Sequence, residues 1–170
     1  NVAFKPGKLE AVSYNKAGKE ISRYALNTAG EPASLKLTAI QNPEGFHADG
    51  ADMALIQVEV VDKDGKRCPL DNRTVQFTLN GHAEWRGGIA QGENNHILDT
   101  NLPVECGINR ALIRSTTTAG KVTLTAQAKG LPSATLTLET VPVKVTGGLS
   151  TYLPQSTLKA RLDRGETPST

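Results

Sequence analysis

Apolar residues recur at every second position through most of this chain, and no other feature constrains its fold as tightly. The stretch "TVQFTL" sets Val75, Phe77 and Leu79 against Thr74, Gln76 and Thr78. In "KVTLTAQA", Val122, Leu124 and Ala126 alternate with Thr123, Thr125 and Gln127. "ALIQVEVV" puts Ile56, Val58 and Val60 on one face with Gln57 and Glu59 opposite, and "INRALIRS" and "SATLTLE" read likewise. A period of two belongs to a strand with one face buried and one solvated. Threonine and valine dominate these segments, and both suit a pleated, half-buried surface. The stretches "NKAGK" (15–19), "DKDGK" (62–66) and "TTAGK" (117–121) each place a glycine where a tight hairpin turn needs positive φ. Short strands between such turns predict an all-β antiparallel sandwich. Only "STLKARLDR" (156–164) offers a turn or two of helix.

The pattern divides the chain into three parts. Residues 1–38 predict a short β meander of "LEAVSYN", "KEISRYALN" and "ASLKLTAI". Residues 42–145 hold enough strands for one complete sandwich. Residues 146–170 turn polar and rich in Gly, Pro, Ser and Thr, as in a linker or extended tail, with Tyr152 and Leu153 as its candidate anchor.

Composition narrows the function classes. A formal net charge of +2 over 170 residues, without basic runs, gives no reason to expect a nucleic-acid partner. No apolar stretch approaches the roughly 18–20 residues of a membrane-spanning helix. The chain opens at Asn1 with neither a methionine nor a signal peptide, so it is expected to be cut from something longer. Aromatic rings are few and scattered: Phe4, Tyr14, Tyr24, Phe46, Phe77, Trp85 and Tyr152. That scarcity weighs against a dedicated carbohydrate-binding module. Cys68 and Cys106 permit one disulfide or two small buried thiols, and the three histidines make no zinc pattern.

Candidate sites are sparse. "GGIAQG" is neither a P-loop nor a dinucleotide loop leading into a helix, so no cofactor is implied. "DKDG" opens like a calcium loop, which makes Asp62 and Asp64 weak candidates for a cation, with "ADGAD" (48–52) as a source of further oxygens. The downstream ligands are missing, and an Asp-Gly turn accounts for the stretch more simply. No nucleophile elbow is present, and His47, His82 and His96 fall in predicted loops. "NRT" at Asn72–Thr74 is a formal glycosylation acceptor. Trp85 lies with Ala83 on one face of its strand, with Glu84 and Arg86 on the other. Three readings stay open for it: packing at the core or its rim, contact with another domain, or a glycan site formed by Trp85 with Arg86 and His82.

These stretches carry a family resemblance. "FKPGKLEAVSYNKAGKEISRYALNTAGEPASLKL" resembles the segment after the catalytic barrel in bacterial family 2 glycoside hydrolases of the β-galactosidase type. "ADGADMALIQVEVVDKDGKRCP", "AEWRGGIAQG", "LPVECGINRALIRSTTTAGKVTLTAQAKGL" and "LDRGETP" are similar to that family's extra C-terminal domain. "ADG", a strand and "D-x-DG" also match the style of adhesin repeats, but no second copy follows. The resemblance implies an immunoglobulin-like sandwich preceded by the back half (1–38) of an upstream immunoglobulin-like domain. It implies a retaining enzyme whose two catalytic glutamates sit on a barrel of about 250 residues. The Asn-Glu pair typical of the acid/base residue is absent, so no catalytic residue carries over. The expected role is accessory. Expected partners are the catalytic and other domains of the parent enzyme, a second copy pairing through 1–38, or a glycan. Family analogy places that enzyme in the periplasm or outside a bacterium.

Overall fold

The computed structural model describes residues 3–91 and 94–144. The expected tail and its helical turn fall outside them. Strands β1 (Lys8–Tyr14) and β2 (Glu20–Asn27) form a two-stranded sheet of their own. Ten more follow: β3 (Ser34–Ile40), β4 (Phe46–His47), β5 (Met53–Val61), β6 (Thr74–Gly81), β7 (Ala83–Gln91), β8 (Asn94–Ile97), β9 (Asn101–Pro103), β10 (Ile108–Ser115), β11 (Lys121–Ala128) and β12 (Ala134–Val141). They make two five-stranded sheets, ordered β3-β5-β10-β7-β8 and β4-β12-β11-β6-β9. The result is an immunoglobulin-like sandwich. Its pairs are antiparallel except β4 with β12, which run parallel at one edge.

The alternating positions face each other across the two sheets. Ile56, Val58, Val60, Ala111 and Ile113 from the first sheet meet Val75, Phe77, Val122, Leu124 and Ala126 from the second, all buried. Sequence alternation thus becomes two apolar interior faces, and the Thr and Gln positions between them stay outside.

Two expectations need correction. "DKDGK" closes a short antiparallel bridge of Val61 with Arg67, but neither it nor "TTAGK" pairs the long strands on its two sides: β5 and β6 lie in different sheets, as do β10 and β11. "DKDGK" is a local turn closed by Asp62 N–H donating to Lys66 O at 2.8 Å. A positive-φ glycine fixes where the chain bends, whereas the choice of next neighbour belongs to the buried faces. Only "NKAGK" connects two paired strands, with Gly18 at φ 76°. The second correction concerns 1–38. Residues 34–40 do not close the leading meander but pair along most of β5, from Ser34 opposite Val61 to Ile40 opposite Leu55. Leu35 is thereby buried in the sandwich core.

The β1–β2 hairpin is left amphipathic and open. Leu9 opposite Leu26 and Ala11 opposite Tyr24 build one apolar face. Glu10, Arg23 and Glu20 form ion pairs on the other. Leu9, Tyr24 and Leu26 are 73%, 67% and 55% exposed, so this face does not pack on the sandwich. A two-stranded hairpin with one uncovered apolar face is marginal by itself.

Ile113→Ala should lower the free energy of unfolding by about 3 kcal/mol through lost burial and the cavity left behind. Leu9→Ala should stay within about 0.5 kcal/mol in this chain. Urea denaturation of both variants checks the contrast.

Candidate functional site

The tryptophan stretch is turn and bulge chemistry wrapped around a packed ring. Trp85 is half-buried and stacks on Phe77, with centroids 5.3 Å apart and planes 29° from parallel. Its indole Nε1–H donates to Asp99 O at 2.9 Å. Both facts come from its inward position beside Ala83, the face that alternation assigned it. One residue on, the register slips: Ile113 sits opposite Trp85 and Leu112 opposite Gly87, leaving Arg86 as the extra residue of a bulge.

Gly87 makes the bulge possible. Its φ is 79°, and a Cβ there would lie 2.4 Å from Leu98 N and 2.5 Å from His96 O. Arg86 O accepts from Leu98 N–H at 3.0 Å, which ties this strand to the turn after β8. Gly88 leaves room for Leu102 and His96 in the same way. His96 is buried, with Nδ1 3.3 Å from Asp99 Oδ2. His82 packs its ring on Gly120, where a Cβ would fall 2.4 Å from Cδ2. Trp85, Arg86 and His82 have three local settings: a stack on Phe77, a bulge and a glycine contact.

Asp62 and Asp64 part company as well. Asp62 is 3% exposed. Its Oδ1 accepts from Asp64 N–H and Lys66 N–H, both at 2.9 Å, and its Oδ2 from Gly30 N–H at 2.8 Å. Backbone donation, from Gly30 foremost and then Lys66, holds its carboxyl below the usual range. Asp64 points outward to Lys63 and Lys66, and Lys63 is the larger cause of its lowered pKa. In "ADGAD", Asp49 closes its own loop by accepting from the N–H groups of Ala51 and Asp52. Among the described residues no group of three or more His, Cys, Asp or Glu side chains could hold a metal ion.

The two thiols are free. Cys68 is buried with Sγ 3.6 Å from Gly30 O, whereas Cys106 is exposed at φ 51°. Burial foremost, then the charges of Asp62 and Asp71, push the Cys68 thiol up.

One ion pair lacked any periodic signal in the sequence. Arg73 meets Asp71 through Nε at 2.8 Å and Nη2 at 2.6 Å, and donates from Nη1 to Lys129 O. The guanidinium beside it is the main reason the Asp71 carboxyl sits below its ordinary value. Beside this pair, the ends of β6, β9 and β11 border a shallow open groove lined by Thr74, Gln76, Asn101, Gln127, Ala128 and Lys129. That lining includes no aromatic ring and no carboxylate.

Gly87→Ala should destabilise the chain by at least about 2 kcal/mol, combining positive-φ strain with backbone overlap, as read by urea denaturation. Asp62 and Asp71 both have folded-state pKa values below their unfolded ones. Their contribution is therefore full above the unfolded carboxylate value of about 4 and is lost as pH falls through the lowered folded values. Thermal melts from pH 7 to 2 should show Tm falling below about pH 4, and less steeply in Asp71→Asn.

Comparison with known proteins agrees with this architecture. The profile of the glycoside hydrolase family 2 C-terminal domain 5 matches residues 35–137, which begins within β3 and leaves the hairpin outside. A β-glucuronidase of Formosa agariphila is 44% identical over 155 residues, 91% of this chain and 16% of that protein. A β-galactosidase of Bacteroides ovatus is 31% identical over 141 residues, 79% of this chain and again 16% of the relative. In solved structures, a family 2 β-glucuronidase superposes with a TM-score of 0.78 at 41% identity, covering 100% of this chain and 18% of that one. A family 2 member from Bacteroides cellulosilyticus gives 0.73 at 31% identity, covering 82% and 18%. The relatives thus include β-glucuronidases beside the β-galactosidase type. An all-β sandwich matched by that profile, and spanning under a fifth of these enzymes, belongs to glycoside hydrolase family 2 as a C-terminal domain.

Proposed function

We propose that this chain is a non-catalytic accessory domain of a family 2 glycosidase, which supports the catalytic barrel or the subunit contacts during carbohydrate degradation. The observation that carries the reading is the hairpin. It lies outside the matched C-terminal domain, yet the β-glucuronidase structure covers the chain in full. Its exposed face of Leu9, Tyr24 and Leu26 is suited to packing on a second β layer. We read residues 8–27 as the back half of an immunoglobulin-like domain that precedes the sandwich in the parent enzyme. A barrel of about 250 residues exceeds this chain, so the chemistry belongs elsewhere in the parent.

The parent is read as a retaining enzyme acting on terminal β-glycosides. The names of the relatives put aryl β-glucuronides and β-galactosides first among substrates to try. A periplasmic or extracellular setting accompanies this reading by family analogy.

Activity assays separate the roles. The 170-residue chain alone should hydrolyse neither aryl glycoside. Removing residues 34–144 from the parent should lower its Tm while kcat on the preferred small substrate stays within about tenfold, a loss of at most about 1.4 kcal/mol of transition-state stabilisation. Hydrolysis by the chain alone would overturn the reading. So would abolished turnover in a truncated parent that still folds.

A further inference from the structure

We propose that Asp62 is the latch of a rigid joint: a buried socket on the sandwich captures the Gly30 backbone and fixes the direction in which the β1–β2 hairpin leaves. The joint is segment 28–33, "TAGEPA", between β2 and β3. Its composition is that of a flexible connector, yet it is pinned at both ends.

On the hairpin side, Thr28 N–H donates to Gly7 O at 2.9 Å and Gly7 N–H donates to Thr28 Oγ1 at 3.0 Å. On the sandwich side, Gly30 N–H donates to Asp62 Oδ2 at 2.8 Å and Ala33 N–H to Val61 O at 2.8 Å. The Cys68 thiol lies 3.6 Å from Gly30 O, and Ala29 packs against the core. Pro32 has its φ fixed by its ring. Little rotational freedom remains in the segment, so the hairpin and the sandwich are held as one body.

Asp62 suits this part because its other oxygen is already committed. Oδ1 accepts from Asp64 and Lys66 within the "DKDG" turn, which aims Oδ2 across the gap at Gly30. A buried carboxylate accepting several backbone N–H groups makes stronger bonds than a neutral acceptor and leaves no rotamer freedom. A simpler role, as the turn-former of "DKDG" alone, uses only Oδ1. The two roles are separable.

Asp62→Asn separates them. Its carbonyl oxygen can keep the two turn bonds while its amide nitrogen sets a donor against the Gly30 donor. Gly30→Pro removes the same bond from the other side. Gly30→Ala is the control, because its Cβ would lie an ordinary 3.6 Å from Asp62 Oδ2 and the N–H remains. Backbone ¹⁵N relaxation and amide exchange on the whole chain read the joint, with thermal melts to confirm the sandwich. In the native chain and Gly30→Ala, residues 28–33 should match the heteronuclear NOE values of β5, with Gly30 exchange slowed at least about 100-fold over an open amide. In Asp62→Asn and Gly30→Pro, those values should drop to loop levels and the Gly30 or Ala33 protection should fall at least about tenfold while β5 and β11 stay unchanged.

A native chain whose residues 28–33 already move like a loop would overturn the proposal. So would both variants keeping the joint rigid, or both unfolding the sandwich, which would make Asp62 a general fold residue. The joint is a property of this chain alone. Its failure would leave the assignment to family 2 and the accessory role untouched.

Discussion

The structure depends on one dry interface, where Ile56, Val58, Val60 and Ile113 of one sheet close on Val75, Phe77, Val122 and Leu124 of the other. Each of these side chains is worth roughly 1.5–3 kcal/mol when taken out of water. Together they decide strand neighbours more strongly than any turn does. That is why β5 passes through a tight Asp-Gly turn and still does not pair with β6. Everything peripheral is positioned by this layer. The Trp85 ring extends it at the rim through Phe77, and Leu35 draws β3 onto its edge.

Around that layer, residues that look chemical serve geometry. Gly87 and Gly88 let β7 bulge and let the turn after β8 come within hydrogen-bond reach. Asp62 spends its carboxylate on three backbone donors, and Asp49 spends its own on a loop. A carboxylate oxygen engaged by fixed N–H groups is held in one orientation. Those bonds make Asp62 a good mechanical part. Asp62 joins two segments distant in sequence where a polar linker would otherwise swing.

How far the sequence disclosed this follows from the range of each signal. Strands β5, β6, β10, β11 and β12 were legible because a period of two needs only local residues, and their buried faces fell on the alternating positions. The shared face of Trp85 and Ala83 was legible for the same reason, whereas which way that face turned was left open. Strands β4, β8 and β9 are too short to show a period. The capture of β3 by β5, the Asp71–Arg73 pair with its reach to Lys129, and the grip of Asp62 on Gly30 all depend on which distant segments meet. No local pattern encodes those meetings. The family resemblance supplied the expectation of an accessory role, and side-chain chemistry alone could not have done so.

We propose that the hairpin face is half of an interface completed by the parent enzyme. Hydrogen–deuterium exchange by mass spectrometry, on this chain and on the intact parent, tests it most directly. Peptides covering residues 8–27 should exchange at least about 100-fold more slowly in the parent, while β5 and β11 peptides stay the same. Equal exchange in both proteins, or protection that appears in the isolated chain only as it dimerises, would contradict the claim.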